Sequence, residues 1–146
     1  MNIYLNDVFS IDNVIFPEST KNTVMNTGSF IRTIYSTNNV VLNNLIFLID
    51  IKNISYNNGK IYFNSNENKE IIDKLVNVEY LLLNKLNNNY NNKTFTIREH
   101  LGKGNIKIFT ENNNDLYNLK DIKLIVKISG IWINNNNYGL ICKYIY

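Results

Sequence analysis

Apolar residues recur at two spacings along this chain, and the change from one to the other sets the predicted elements. Phe30-Ile31-Arg32-Thr33-Ile34-Tyr35-Ser36 is rich in β-branched and aromatic residues, the types that suit a pleated surface. Thr37-Asn38-Asn39 reads as a turn. Val40 to Ile51 reads as a long strand with Val41, Leu45, Phe47, Ile49 and Ile51 on one face and Asn43 as that face's polar exception. The other face mixes Leu42, Ile46 and Leu48 with Asn44, Asp50 and Lys52, so the two runs predict a hairpin. Asn57-Asn58-Gly59 is a turn signal, and Lys60 to Asn64 is a short third strand. Then the period lengthens. Ile71, Ile72, Leu75, Val76, Glu79, Leu82, Leu83 and Leu86 recur at steps of three and four, a wide helical stripe that Glu79 alone interrupts. Ser65 or Asn66 is placed to cap its start, Glu67 suits the positive end of the dipole, and Asn87 to Asn92 ends it. A helix of about 20 residues is about 30 Å long.

Beyond it, Thr96-Ile97-Arg98-Glu99 fits a capping box opening a short helix that stops at Gly102. Ile106 to Phe109 is a short strand. Leu119 to Ile133 is a second long β segment with Gly130 inside it, a sign of a bulge or bend. Asn134 to Asn137 turns the chain, and Tyr138 to Tyr146 is the last strand. Residues 1–28 are irregular except for a short strand at Val14-Ile15-Phe16 before Pro17. Three strands, a long helix and a closing hairpin follow the element order of an OB-fold. The predicted class is therefore mainly β: a barrel of five or more antiparallel strands with one long α-helix between strands three and four. Another small α+β sheet domain is the alternative. With 146 residues, no Gly/Ser-rich linker and no internal repeat, positions 1–146 read as one domain.

Composition narrows the picture. There are 31 Asn and 22 Ile, and no Ala or Gln. Asn, Ile, Lys, Tyr and Phe have A/T-rich codons, so base composition accounts for the asparagine runs as padded loops. No apolar run approaches the ~18 residues of a membrane span, and the N-terminal residues lack a signal-peptide pattern, so an intracellular protein with no membrane partner is expected. One cysteine, Cys142, and one histidine, His100, provide neither a disulfide nor a zinc ligand set, and no cofactor is implied. No catalytic constellation is evident. Gly102-Lys103-Gly104 lacks the full phosphate-loop pattern, His100 has Glu99 beside it but no nucleophile, and Cys142 alternates with Leu140 and Tyr144 as a structural thiol would. The chain is read as a binding protein, not an enzyme.

The net charge of +3 permits a polyanionic partner. Single-stranded nucleic acid needs cations along a groove and aromatic faces for stacking. Ten Tyr, seven Phe and one Trp are present, several beside cations: Arg32 near Tyr35, Lys60 with Tyr62, Lys107 with Phe109, Trp132 with Tyr138, Lys143 with Tyr144. In Leu124 to Ile128, the apolar Leu124, Val126 and Ile128 share one face, while Lys123 and Lys127 share the other around Ile125. With Lys52, the candidate nucleic-acid-binding set is Arg32, Tyr35, Lys52, Lys60, Tyr62, Lys107, Lys123, Lys127, Trp132, Tyr138 and Lys143.

Phe30 to Ser36 followed by Leu42-Asn43, Ile97-Arg98-Glu99 to Lys107, and Lys127-Ile128-Ser129-Gly130-Ile131-Trp132 with Tyr138-Gly139-Leu140 and Lys143 resemble small OB-fold single-stranded-DNA-binding-like proteins of large double-stranded-DNA viruses and Maverick-type mobile elements. The resemblance covers residues 30–146. It implies a protein that coats exposed single strands, DNA or RNA, during viral replication or recombination, in the host cytoplasm or nucleus, with Arg32, Tyr35, Lys127, Trp132, Tyr138 and Lys143 as carried-over positions. A homo-oligomer and replication proteins are the implied protein partners. The competing reading is a structural or assembly protein of a large DNA virus that oligomerises through its sheet and helix, because Ile46, Leu48 and Ile125 fall on faces predicted to point outward.

Overall fold

The computed structural model describes residues 4–21, 28–86 and 90–146; the run Asn87–Asn89, predicted to end the long helix, lies outside the described residues. A 3-10 turn at Ile11–Asn13 leads into β1 (Val14–Ile15), β2 (Thr20–Lys21), β3 (Ser29–Arg32), β4 (Ile34–Ser36), β5 (Val41–Asn43), β6 (Leu45–Ile51), β7 (Ser55–Asn57) and β8 (Lys60–Tyr62). Helix α1 (Lys69–Lys85) follows, then β9 (Asn92–Thr94), α2 (Thr96–Gly102), β10 (Asn105–Phe109), a second 3-10 turn at Asn114–Asn118, β11 (Ile122–Asn134) and β12 (Asn137–Ile145). With 43 % strand against 24 % helix, the chain is mainly β.

β11 is the spine. One of its edges carries β12, antiparallel. The other carries β6 and β3 end to end, β6 along Ile122–Ile128 and β3 along Gly130–Ile133. β12 in turn carries β9 and β10, both parallel to it, and the sheet continues through β8 to β7. Alternation along these strands sorts side chains to two faces. Leu45, Phe47, Ile49 and Ile51 of β6, Leu124, Val126 and Ile128 of β11, and Ile106 and Ile108 of β10 are buried. They form one core with Ile72, Leu75, Val78, Leu82 and Leu83 of α1 and Ile97 and Leu101 of α2. Each such side chain contributes roughly 1.5–3 kcal/mol when removed from water. Both helices therefore cover the inner face, and the outer face of the β6–β11–β12–β10–β8 sheet is left to solvent.

Several expectations are corrected. The ladder order β2-β3-β11-β12-β10-β8-β7 leaves the sheet open, with no closed barrel among the described residues. Closure would require β7 to pair with β6, which it directly follows. Instead Asn53 takes a left-handed turn (φ 54°), the Ile54 N–H donates to the Lys120 carbonyl (2.8 Å), and Tyr56 packs edge-on against Tyr117. Two of the ladders are parallel, where an all-antiparallel sheet was predicted, because α2 returns the chain so that β9 and β10 both run with β12. Among the described residues eight strands precede α1, not three.

The extra strands come from two breaks. Thr33 divides the first predicted strand: its N–H donates to Ser129 (3.2 Å) and its hydroxyl to the Ile128 carbonyl (3.1 Å). Asn44, at φ 80°, divides the second and donates to the Thr33 carbonyl (3.0 Å). Between these corners β4 and β5 leave the main sheet and form a small separate one, in which β4 pairs with β1 on one edge and with β5 on the other. The left-handed corner also changes the phase, so Val41, predicted inward, is 68 % exposed. The Asn58-Gly59 turn forms as predicted, with positive φ at both residues. So does the irregularity at Gly130: Ile128 pairs with Cys142 but Gly130 with Ile141, leaving Ser129 as the extra residue of a bulge.

The interruption at Glu79 has a structural role. The side chain is fully buried, and its two oxygens accept the N–H groups of Ile97 and Arg98 at 2.9 Å each. α1 thus caps α2 from outside. The predicted capping box does not form: the cap residue of α2 is Phe95, which has no side-chain hydrogen bond, and Glu99 pairs with Lys103 instead, which holds its carboxyl below the usual range. Burial pushes the Glu79 carboxyl above its ordinary value, against the pull of its amide donors.

Candidate nucleic-acid interface

The outer face is built by register. Lys60 of β8 lies opposite Lys107 of β10. β10 runs parallel to β12 with Ile108 beside Tyr144, so one residue earlier Lys107 lies beside Lys143. Lys143 is opposite Lys127 of β11. Four lysines thus stand in one row across four adjacent strands, a span of about 14 Å at the usual strand spacing. Like charges directly opposite one another destabilise a sheet. Among the described residues no carboxylate forms an ion pair with any of the four; the ion pairs found are Lys69–Asp73, Lys74–Glu70, Lys103–Glu99 and Lys123–Asp50.

One step along the strands lies a second row, of apolar character. Phe109 stands beside Ile145, Ile145 opposite Ile125, and Ile125 opposite Leu48. Phe109 is 42 % exposed. The ammonium groups of Lys107 and Lys143 sit 5.4 and 5.1 Å from its ring centroid, within cation–π range. Beside the two rows an open groove of about 860 Å³ is lined by Lys107, Phe109, Lys127, Lys143, Ile145 and Tyr146, and by the carboxylates Glu111 and Asp115. An aromatic ring next to two ammonium groups, in line with a cationic row, can stack a flat ring and neutralise the phosphates attached to it.

The structure brings Lys60, Tyr62, Lys107, Lys127 and Lys143 together. Tyr62 is exposed two residues from Lys60 on β8. Arg32 and Trp132 belong to the same face but lie farther along it: Arg32 pairs with Gly130 and Trp132 with Phe30 and Gly139. Lys123 is on the face as well, with its charge directed at Asp50 (3.8 Å). Lys52 is apart from these, at the end of β6 where its backbone pairs with the buried Asn68 side chain.

Two predicted residues are corrected outright. Tyr35 is 3 % exposed; its hydroxyl donates to the Val8 carbonyl at 2.8 Å and its ring stacks on Phe9. Tyr138 is 2 % exposed and its hydroxyl approaches the Leu83 carbonyl at 3.4 Å. Both belong to the core. For Tyr138 the signal was present in the sequence, since it shares the even-numbered series of Leu140 and Tyr144, which faces inward. For Tyr35 it was hidden by the break at Thr33. Phe109 and Phe30, outside the predicted set, are on the outer face. Cys142 faces the inner side, where burial pushes its thiol up to about 11, and His100 lies edge-on to Tyr144. Among the described residues no group of three or more His, Cys, Asp or Glu could hold a metal ion, and no helix is long and apolar enough to cross a membrane. No family model matches the chain, and neither a curated protein nor a solved structure matches it.

Proposed function

We propose that this chain binds single-stranded DNA on the outer face of its sheet, without regard to base sequence. The observation that carries the reading is the row Lys60–Lys107–Lys143–Lys127, four cations aligned by backbone register with no carboxylate partner among the described residues. The fold tolerates this repulsion, and a polyanion relieves it. Phe109, with two of the ammonium groups close to its ring, supplies a stacking face worth ~1–3 kcal/mol per base and indifferent to which base it meets. The role is stoichiometric coating of exposed strands. Its biological setting, viral DNA replication or recombination, rests on the resemblance noted in the sequence. In the same reading the sheet is an opened variant of an OB-type barrel, whose antiparallel centre is β6–β11–β12.

Titration of fluorescein-labelled oligo-dT, followed by anisotropy at two salt concentrations, tests the reading. Neutralising four phosphates gives a slope of log K against log salt of about −3, at ~0.7 per phosphate of a single strand. The double variant Lys107→Ala, Lys143→Ala halves that slope. The reading is lost if the wild-type chain does not bind at low salt, or binds with no salt dependence. An oligo-rU arm of the titration reports DNA-over-RNA preference. A second reading, a virion or assembly protein, is favoured by the half-exposed apolar row Phe109–Ile145–Ile125–Leu48. It predicts a defined oligomer by light scattering that nucleic acid does not disturb.

A further inference from the structure

We propose that the same outer face carries a second stacking station, formed by Phe30 and Trp132 on a floor of glycine with Arg32 beside it, and that a bound single strand runs from the lysine row along β11 to reach it. This rests on the lysine-row reading and extends it.

The geometry begins with what is missing from the floor. A Cβ built on Gly130 would stand 2.6 and 2.8 Å from ring carbons Cε2 and Cζ of Phe30. A Cβ built on Gly139 would stand 3.0 Å from both Cζ2 and Nε1 of Trp132. Backbone stands nearer still, the Ile31 carbonyl oxygen 2.1 Å from the Gly130 Cβ position and the Thr94 carbonyl oxygen 2.9 Å from that of Gly139, so glycine at these places both lets the strands approach and leaves room for the two rings. Both rings are half-buried, and both belong to residues whose neighbours Ile31, Ile131 and Ile133 fill the core side. Each ring packs over glycine while staying partly exposed, which leaves it within reach of a base.

Charge connects the two stations. Arg32 is exposed, is paired in register with Gly130, and makes no ion pair among the described residues. It therefore stands between Lys127 and Trp132 and continues the cationic track past the end of the lysine row. From Lys127 to Trp132 the chain advances five residues, one of them the extra residue of the bulge. At ~3.4 Å per strand residue this is about 14 Å, or about four nucleotides at the 3.4 Å rise of a stacked strand. The bulge is what makes the arrangement possible: Ser129 is the extra residue, so Trp132 lies on the same side as Lys127 despite the odd spacing between them.

Trp132 is the only tryptophan, so its emission reports on the second station alone, while anisotropy of a labelled oligonucleotide reports on all binding. The unmodified chain is titrated with a thymidine trinucleotide and a dodecanucleotide. The expected result is that the dodecanucleotide quenches Trp132 emission and the trinucleotide, held at the lysine row, does not. Arg32→Glu, a change on an exposed side chain, should weaken the dodecanucleotide about tenfold, which is ~1.4 kcal/mol, and leave the trinucleotide unaffected. Salt-sensitive binding of the dodecanucleotide with unchanged Trp132 emission overturns the second station and leaves the lysine-row reading standing. Quenching by both lengths also overturns it, since the platform would then be the primary site. Failure of both oligonucleotides to bind at low salt removes the lysine-row reading, and this inference with it.

Discussion

The inner and outer sides of the sheet treat charge in opposite ways. Inside, Glu79 is fully buried, and each oxygen of its carboxylate accepts a backbone N–H from the start of α2. Outside, four lysines stand shoulder to shoulder with no ion-pair partner among the described residues. A buried charge must be met by hydrogen-bond partners or it costs several kcal/mol, so Glu79 is committed to architecture. An exposed charge need not be met, because water screens it, and it remains available to something that arrives from solution.

The sharpest way to break this contrast is to remove the committed group. Glu79→Ala strands the two amides and should lower unfolding free energy by about 3 kcal/mol, read by chemical denaturation. The pH dependence carries its own sign. The folded chain holds the Glu79 proton more tightly than the unfolded chain, since burial raises its carboxyl above the ordinary 4.5. The contribution of Glu79 to stability is therefore greatest below 4.5 and declines as pH rises through the raised value. Glu79→Gln should flatten that decline; an unchanged profile would show that Glu79 does not titrate as its burial requires.

Next in size is Cys142 on the inward series of β12. Its thiol, raised from 9.0 to about 11, should form a thiolate about 100-fold less readily than an unperturbed cysteine at the same pH, measured as the rate with a thiol-specific reagent in native protein and in denaturant. Equal rates would place that side chain outside. On the exposed side, Phe109→Ala should cost binding ~1–3 kcal/mol while its unfolding midpoint stays near that of the wild type. A loss of stability in its place would move Phe109 to the architectural class. The smallest effect belongs to Lys127→Ala or Lys143→Ala: relieving one opposed pair should raise stability by a few tenths of a kcal/mol, roughly, and weaken oligonucleotide binding at the same time.

Much of the inner side was legible in the sequence, because alternation on Leu45 to Ile51 and Leu124 to Ile128 and the three-and-four spacing of α1 are local patterns. Even the exception at Glu79 was visible in the stripe. Its partners were not, since Ile97 and Arg98 lie far along the chain and no spacing rule connects a helix interior to the start of another helix. The lysine row was half legible. Lys123 and Lys127 were readable as outward on one strand, but the alignment of Lys60, Lys107, Lys143 and Lys127 depends on the parallel register of β10 with β12, which no local pattern encodes. Barrel closure failed for a related reason. The chain turns away after β6 at the left-handed Asn53, one of 31 asparagines whose abundance conceals the few that set the backbone.

The extra residue at Ser129 has a further consequence. Upstream of it the even-numbered positions of β11, Leu124, Val126 and Ile128, point to the core; downstream the odd-numbered Ile131 and Ile133 do. A chain shortened by one residue here could seat either group beneath the helices, but not both. Deletion of Ser129 is thus equivalent to turning half of a hydrophobic surface into the solvent, and this one position decides whether the longest strand of the molecule has a single inside.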